Sequence, residues 1–123
     1  MAVRRTKGAV GVIGLGIMGG AFAKNLVAAG WRVVGYDTSA ARRREAKRDG
    51  VEVMRNAAEV AAAVPTILTS LPKPQALTDT VQKIAATGLK KKVLVEMSTF
   101  AISDKEKAAR TAHKAGHVMI DCP

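Results

Sequence analysis

The sequence predicts an α/β fold: a single domain built on a doubly wound parallel sheet with helices on both faces. Three observations predict it. Short runs rich in β-branched residues alternate with helix-length segments along the whole chain, the pattern of strand–helix–strand units. Glycines stand just past several helical segments, where a left-handed residue is wanted. A glycine-rich stretch, Gly14-Leu15-Gly16-Ile17-Met18-Gly19, joins the first strand-like run to the first helical one.

Taken in order, Ala9–Ile13 is an apolar run that suits a buried parallel strand. Ile17–Ala29 reads as a helix. Met18, Phe22 and Leu26 recur every four residues in it and predict one buried stripe. Gly30 closes that helix, and Arg32–Tyr36 is the second strand. Ala40–Asp49 is the second helix, closed by Gly50, and Val51–Met54 the third strand. Ala57–Ala63 follows Asn56, whose spacing to Glu59 is that of a capping box. Thr66–Ser70 is the fourth strand. Pro74–Ala86 follows, with Pro74 in the first helical turn, where a missing N–H is tolerated. Val93–Met97 and His117–Ile120 are the last two strands. Between them Asp104–Ala115 reads as a helix, with Ser103 and Glu106 at capping-box spacing and Gly116 at its end. Right-handed crossovers order such a sheet 3-2-1-4-5-6.

Size and composition agree with one domain. The chain has 123 residues, of which 48 % are hydrophobic but only 3 % aromatic, so its core must be built from Ala, Val, Leu, Ile and Met. A single cysteine, Cys122, excludes an internal disulfide and fits a reducing, cytoplasmic setting. The formal net charge of +10 raises nucleic-acid binding as a rival function. The basic residues fall in four groups: Arg4–Lys7, Arg42–Arg48, Lys90–Lys92 and Lys105–Lys114. The second and fourth lie on predicted helices and read as solvated faces. No aromatics interleave with them as a base-stacking platform requires. The charge is therefore read as solubility and mild attraction for anionic ligands, with no nucleic-acid partner. Arg4, Arg5 and Lys7 ahead of an apolar run imitate a secretory signal. That run is studded with glycines and coincides with the glycine-rich stretch, so a signal is rejected, and no segment is long enough to span a bilayer. Residues 1–8 read as a basic extension and 9–123 as the domain. His113 and His117 have no carboxylate or cysteine at ligand spacing, so no metal is expected.

A Gly-x-Gly-x-x-Gly between a strand and a helix is the dinucleotide-binding fingerprint of Rossmann domains. Gly14 permits the tight turn, Gly16 lets backbone approach a pyrophosphate, and Gly19 lets the helix pack close to the strand. The first-turn N–H groups and the helix dipole then favour the phosphates, which makes Leu15, Ile17 and Met18 part of the candidate cradle. Asp37 ends the second strand, where a carboxylate accepts from the adenosine ribose hydroxyls and repels a 2′-phosphate. This favours NAD, with NADP open. Arg42, Arg43 and Arg44 reach toward a 2′-phosphate or are plain solvated charge. Thr38 and Ser39 bond ribose or phosphate, or Ser39 caps the helix. Two further loops leave the same sheet edge, Leu71-Pro72-Lys73-Pro74-Gln75 and Ser98-Thr99-Phe100. Backbone at Leu71-Pro72, Gln75 and the Thr99 hydroxyl are candidates for the rest of the cofactor.

Several segments together resemble one family. Gly14 through Leu26, with Met18 and the Lys24-Asn25-Leu26 tail, is similar to the N-terminal fingerprint of the β-hydroxyacid dehydrogenases. That family includes 3-hydroxyisobutyrate dehydrogenase, tartronate semialdehyde reductase and, more distantly, 6-phosphogluconate dehydrogenase. Tyr36-Asp37, Thr69-Ser70-Leu71-Pro72, Glu96-Met97-Ser98-Thr99 and Asp121-Cys122-Pro123 match in order. The resemblance implies that the Leu-Pro loop and Thr99 contact NAD(P), and that Ser98, Asp121 and Cys122 lie toward the substrate. The family pattern is altered at Val64-Pro65, Ile102, Phe22 and Cys122. The resemblance also implies a Ser-Gly substrate loop and a catalytic lysine beyond Pro123, on an all-helical second domain that drives homo-oligomer formation. No catalytic residue is then expected in this chain, which reads as the cofactor domain of an enzyme oxidising a small β-hydroxyacid. The alternatives are a domain of an NADPH-dependent imine or short-acid reductase, or a stand-alone dinucleotide-binding module.

Overall fold

The computed structural model describes residues 7–123; most of the basic extension, including Arg4 and Arg5, lies outside the described residues. Elements follow in the order β1 (Ala9–Ile13), α1 (Ile17–Ala28), β2 (Arg32–Tyr36), α2 (Ala40–Arg48), β3 (Glu52–Val53), α3 (Ala57–Ala63), β4 (Thr66–Thr69), α4 (Pro74–Ala85), β5 (Val93–Glu96), α5 (Ile102–Lys114) and β6 (Val118–Asp121). The sheet runs β3-β2-β1-β4-β5-β6 with every pair parallel, the order expected from right-handed crossovers. The order reverses between β1 and β4, so the loops after these two strands diverge and leave a crevice at the sheet's C-terminal edge.

Alternation along the strands divides the core in two. Val10, Val12 and Val33 pack with Leu15, Ala23, Ala46 and Val51 under α1 and α2. Ile13, Val34, Ile67 and Leu94 pack with Val60, Leu77, Val81 and Ile84 under α3, α4 and α5. Ile67, Leu77 and Leu94 are at most 1 % exposed, so truncating any of them to alanine costs about 2–5 kcal/mol. Gly30, Gly50 and Gly116 close their helices at φ of +96°, +96° and +90°, the left-handed residues foreseen.

Four expectations are corrected. The buried stripe of α1 is Gly19 and Ala23, while Met18 and Phe22 are 63 % and 41 % exposed and Leu26 is half-buried. The helix lies so close to the β1 turn that a Cβ at Gly19 would overlap the Gly14 carbonyl oxygen; only small residues fit that face, and the large ones turn outward. Ser103 and Glu106 form no capping box. α5 begins earlier, with Ala101 as N-cap, which leaves Ser103 inside the first turn. Asn56 does cap α3 through the Glu59 N–H at 2.9 Å. The Glu59 carboxylate accepts instead from the Arg55 N–H and guanidinium, at 2.9 and 2.7 Å. Finally Lys105, placed by sequence on a solvated face, is 5 % exposed. Other differences are of one or two residues at element ends, where the last turns and rungs lose partners; the largest leaves β3 only Glu52 and Val53.

Candidate functional site

The three fingerprint glycines do different physical work. Gly14 adopts φ +95°, and a Cβ there would overlap the Ser70 carbonyl oxygen of the neighbouring β4 loop. Its N–H donates to the Tyr36 carbonyl at 2.9 Å. Gly19 is required by the helix–turn contact described above. At Gly16 a Cβ would meet nothing within 4 Å. That glycine is therefore dispensable for packing, and the space over it is open. Gly16 is the N-cap of α1 and no side chain caps the helix, so the first-turn N–H groups, which have no intrahelical acceptor, face that space. Ile17 is 82 % exposed and Met18 63 %.

Asp37 braces this turn. Its Oδ2 accepts from the Leu15 N–H at 2.7 Å and its Oδ1 from the Ser39 N–H at 2.8 Å. Each carboxylate oxygen retains acceptor capacity. The Ser39 hydroxyl accepts from the Arg42 N–H at 3.3 Å and caps α2, and Thr38 is exposed. Of the three arginines, Arg43 is engaged locally. Its Nη1 donates to the carbonyls of Asp37 and Thr38 at 2.7 and 3.0 Å, and its guanidinium lies 5.9 Å from the centre of the Tyr36 ring. Arg42 pairs loosely with Glu45 at 3.7 Å.

A cavity of about 200 Å³ occupies the crevice where the strand order reverses. Gly14, Tyr36, Asp37 and Thr38 line one side; Leu71, Pro72 and the Ala76, Asp79, Thr80 and Lys83 face of α4 line the other. The α4 contribution was not foreseen. Its signal was the spacing of Ala76, Thr80 and Lys83 along one face of the helix that follows the Leu-Pro loop. Gln75 lies outside this lining and donates to the Asp79 carboxylate at 2.9 Å.

The Ser98-Thr99 loop lies beside the Leu-Pro loop. Thr99 is exposed. Ser98 is 6 % exposed, and its hydroxyl accepts from the Leu71 N–H at 2.8 Å while donating to Glu96 Oε1 at 2.6 Å. Glu96 is wholly buried. The same Oε1 accepts from the Ser98 N–H at 3.0 Å and the Thr69 hydroxyl at 3.1 Å. Its Oε2 faces the Lys105 ammonium at 3.2 Å, and Lys105 reaches on to Asp121 Oδ1 at 2.6 Å. Burial pulls the Lys105 ammonium down, but its hydrogen bonds to Asp121 and Glu96, with their charges, outweigh it and hold the pKa above the ordinary lysine value. Glu96 and Lys105 were missed as a pair. The legible signal was a carboxylate ending the apolar run Val93-Leu94-Val95. Cys122 is exposed, and its N–H donates to the Glu96 carbonyl at 2.8 Å.

These features put the chain in one class, the dinucleotide-binding α/β domains. Within that class it belongs to the family of the NAD binding domain of 6-phosphogluconate dehydrogenase, whose model matches residues 9–123. It is 35 % identical to the mitochondrial 3-hydroxyisobutyrate dehydrogenase of Mus musculus over 123 residues, covering 96 % of this chain and 36 % of the mouse protein. Among solved structures it superposes on a Mycobacterium tuberculosis 3-hydroxyisobutyrate dehydrogenase with L-serine at a TM-score of 0.89 and 28 % identity, covering 94 % of this chain and 40 % of that one. An imine reductase from Pseudomonas sp. gives 0.87 and 26 %, with coverage of 94 % and 41 %. The chain thus spans little more than a third of the length of these relatives. Among the described residues no helix is long and apolar enough to cross a membrane.

Proposed function

We propose that this domain holds NAD with its adenosine in the crevice beside Asp37, its pyrophosphate over Gly16 and its nicotinamide toward Leu71, Pro72 and Thr99. The single observation that carries the reading is the contrast among the glycines: Gly14 and Gly19 are required by protein contacts, whereas Gly16 has only open space before it. The N–H groups of Gly16, Ile17 and Met18 supply the phosphate donors, reinforced by the positive end of α1. Asp37 serves twice, as the brace of the Leu15 turn and as acceptor for ribose hydroxyls. Its charge disfavours a 2′-phosphate, which supports NAD over NADP.

The chain is, on this reading, the cofactor half of a β-hydroxyacid dehydrogenase acting on a substrate like 3-hydroxyisobutyrate. The nicotinamide, when bound, supplies the hydride chemistry. Residues of this domain bind and orient it; the acid/base group comes from a helical substrate domain, which also joins the complete enzyme into a cytoplasmic homo-oligomer. Ser98, Asp121 and Cys122 lie at the substrate-facing end. A second reading, the corresponding domain of an imine reductase using NADPH, is favoured by Arg43, whose cation sits beside the Asp37 and Thr38 carbonyls. Calorimetric titration with NADH and NADPH tests the choice. Tighter NADH binding supports the dehydrogenase reading, tighter NADPH binding the reductase, and no binding of either overturns both.

A further inference from the structure

Every group around the Glu96 carboxylate is a donor. Oε1 receives the Thr69 hydroxyl, the Ser98 N–H and the Ser98 hydroxyl; Oε2 faces the Lys105 ammonium. This fixes the direction of the Ser98 hydroxyl. It must give its one proton to Glu96, which leaves its lone pairs to accept the Leu71 N–H. The Leu-Pro loop is therefore held against the Ser98-Thr99 loop through a hydroxyl whose polarity a buried carboxylate sets. Lys105 extends the chain across β5 to Asp121 at the end of β6. One network thus joins the ends of β4, β5 and β6 and the first turn of α5.

We propose that Glu96 and Lys105 are positioning residues for the nicotinamide half of the cofactor: together they latch the Leu71-Pro72 and Ser98-Thr99 loops into one surface. The proposal rests on the placement of the cofactor given above. Glutamine cannot replace Glu96 neutrally. With its oxygen toward Ser98, its amide nitrogen meets the Lys105 ammonium; with the amide toward Ser98, it meets the Ser98 N–H and leaves the Ser98 hydroxyl without the acceptor that fixes its direction. Methionine at 105 removes the ammonium and relieves the first conflict, so the two substitutions are coupled.

The test compares NAD with ADP-ribose, which lacks the nicotinamide, by calorimetry on the full chain and on Glu96→Gln, Lys105→Met, the double variant and Ser98→Ala, with far-UV circular dichroism as the folding check. Glu96→Gln, Lys105→Met and Ser98→Ala are expected to weaken NAD about threefold to tenfold, the scale of one lost hydrogen bond, and to weaken ADP-ribose, whose adenosine shares only the Leu71-Pro72 wall, by clearly less. The double variant should recover part of the loss. Should Glu96→Gln fail to fold, Ser98→Ala, which deletes a single hydroxyl, decides. Equal weakening of both ligands would mean that the network merely supports the fold, and unchanged binding would remove its role; either overturns the proposal. So does a wild type that binds ADP-ribose as tightly as NAD, since these loops would then hold no nicotinamide. A wild type binding neither ligand overturns the dinucleotide reading itself, a distinct result.

Discussion

Replacing Gly16 by valine should abolish dinucleotide binding while leaving the fold intact. Gly16 sits at φ −69° and ψ −159°, extended backbone open to any residue. A Cβ there meets nothing within 4 Å beyond its chain neighbours, so the branch point itself fits without displacing another element. The remaining cost is that of a poorer N-cap residue, about 1 kcal/mol, or a few degrees in Tm. Binding responds differently, because the new side chain fills the space over the N–H groups of Ile17 and Met18. A hydrogen bond to a charged group is worth about 1.5–3 kcal/mol. Losing two costs about 3–6 kcal/mol, at least roughly a hundredfold in Kd. Calorimetric titration with NADH and a thermal melt measure the two quantities on the same sample. Gly14→Ala is the contrast: at φ +95° and against the Ser70 carbonyl, it should lower Tm before any question of binding arises. A Gly16→Val variant that titrates like the wild type, or that loses its cooperative melt, refutes the division of labour among the glycines.

Asp37→Ala should narrow or reverse the preference for NAD over NADP in paired titrations. It should also lower Tm, because the Leu15 and Ser39 N–H groups lose their acceptor. The raised pKa of Lys105 predicts stability that is fully present below pH 10.5, the ordinary lysine value, and lost as pH rises through the folded value; denaturant melts of Lys105→Met should lack that alkaline loss. His117 runs the other way. Burial, with the charges of Lys90 and Lys92, holds its pKa below 6.5, and its Nδ1 accepts from the Lys92 N–H at 3.1 Å. Its stabilisation is present above pH 6.5 and lost as pH falls through the depressed folded value, an acid loss absent from His117→Gln. On the proposed reading the acid/base group belongs to a substrate domain, and lacking it alone costs roughly 10²–10⁴-fold, so the 123-residue chain should reduce no cofactor with serine, 3-hydroxyisobutyrate, threonate or glycerate; absorbance of the reduced cofactor reads this directly.

Strand order and most element limits were legible because they rest on local signals. β-branched runs, Pro74 at a helix start and glycines after helices each act within a few residues. The fingerprint was legible for the same reason, being one contiguous stretch whose glycines are fixed by backbone geometry. What was not legible depends on distance between elements. The Ser103–Glu106 spacing fits a capping box, but the α5 backbone enters its first turn at Ile102, which sequence spacing does not reveal. Lys105 belongs to a basic group by composition, yet Glu96 on β5 and Asp121 on β6 flank it only after the sheet has formed. The Ala76, Thr80 and Lys83 face of α4 became part of the crevice only once β4 lay beside β1.

The misplaced stripe of α1 shows how binding geometry overrides an ordinary hydrophobic pattern. Periodicity assigns the burying face to the largest apolar residues, because burial of apolar area usually decides helix orientation. Here Met18 and Phe22 occur at the right spacing and lose. For the first turn of α1 to offer its N–H groups at the sheet edge, the helix must start hard against the β1 turn, and the gap there admits only hydrogen at Gly19. Ala23, 1 % exposed, continues that narrow face one turn later. Rotating the helix to bury Met18 and Phe22 would push it outward by about the width of a side chain and carry its N-terminus away from Gly14 and Asp37. The energy forgone by leaving Met18 mostly and Phe22 partly in water, a fraction of the about 1.5–3 kcal/mol that each gives when fully buried, measures how strongly the close approach is constrained. An α1 repacked toward larger inward residues, for instance Ala23→Leu, should therefore weaken NADH binding through displacement of the cradle although residue 23 is buried in the core. Unchanged NADH affinity in a folded Ala23→Leu variant would show that the cradle's position does not depend on the close packing of this helix.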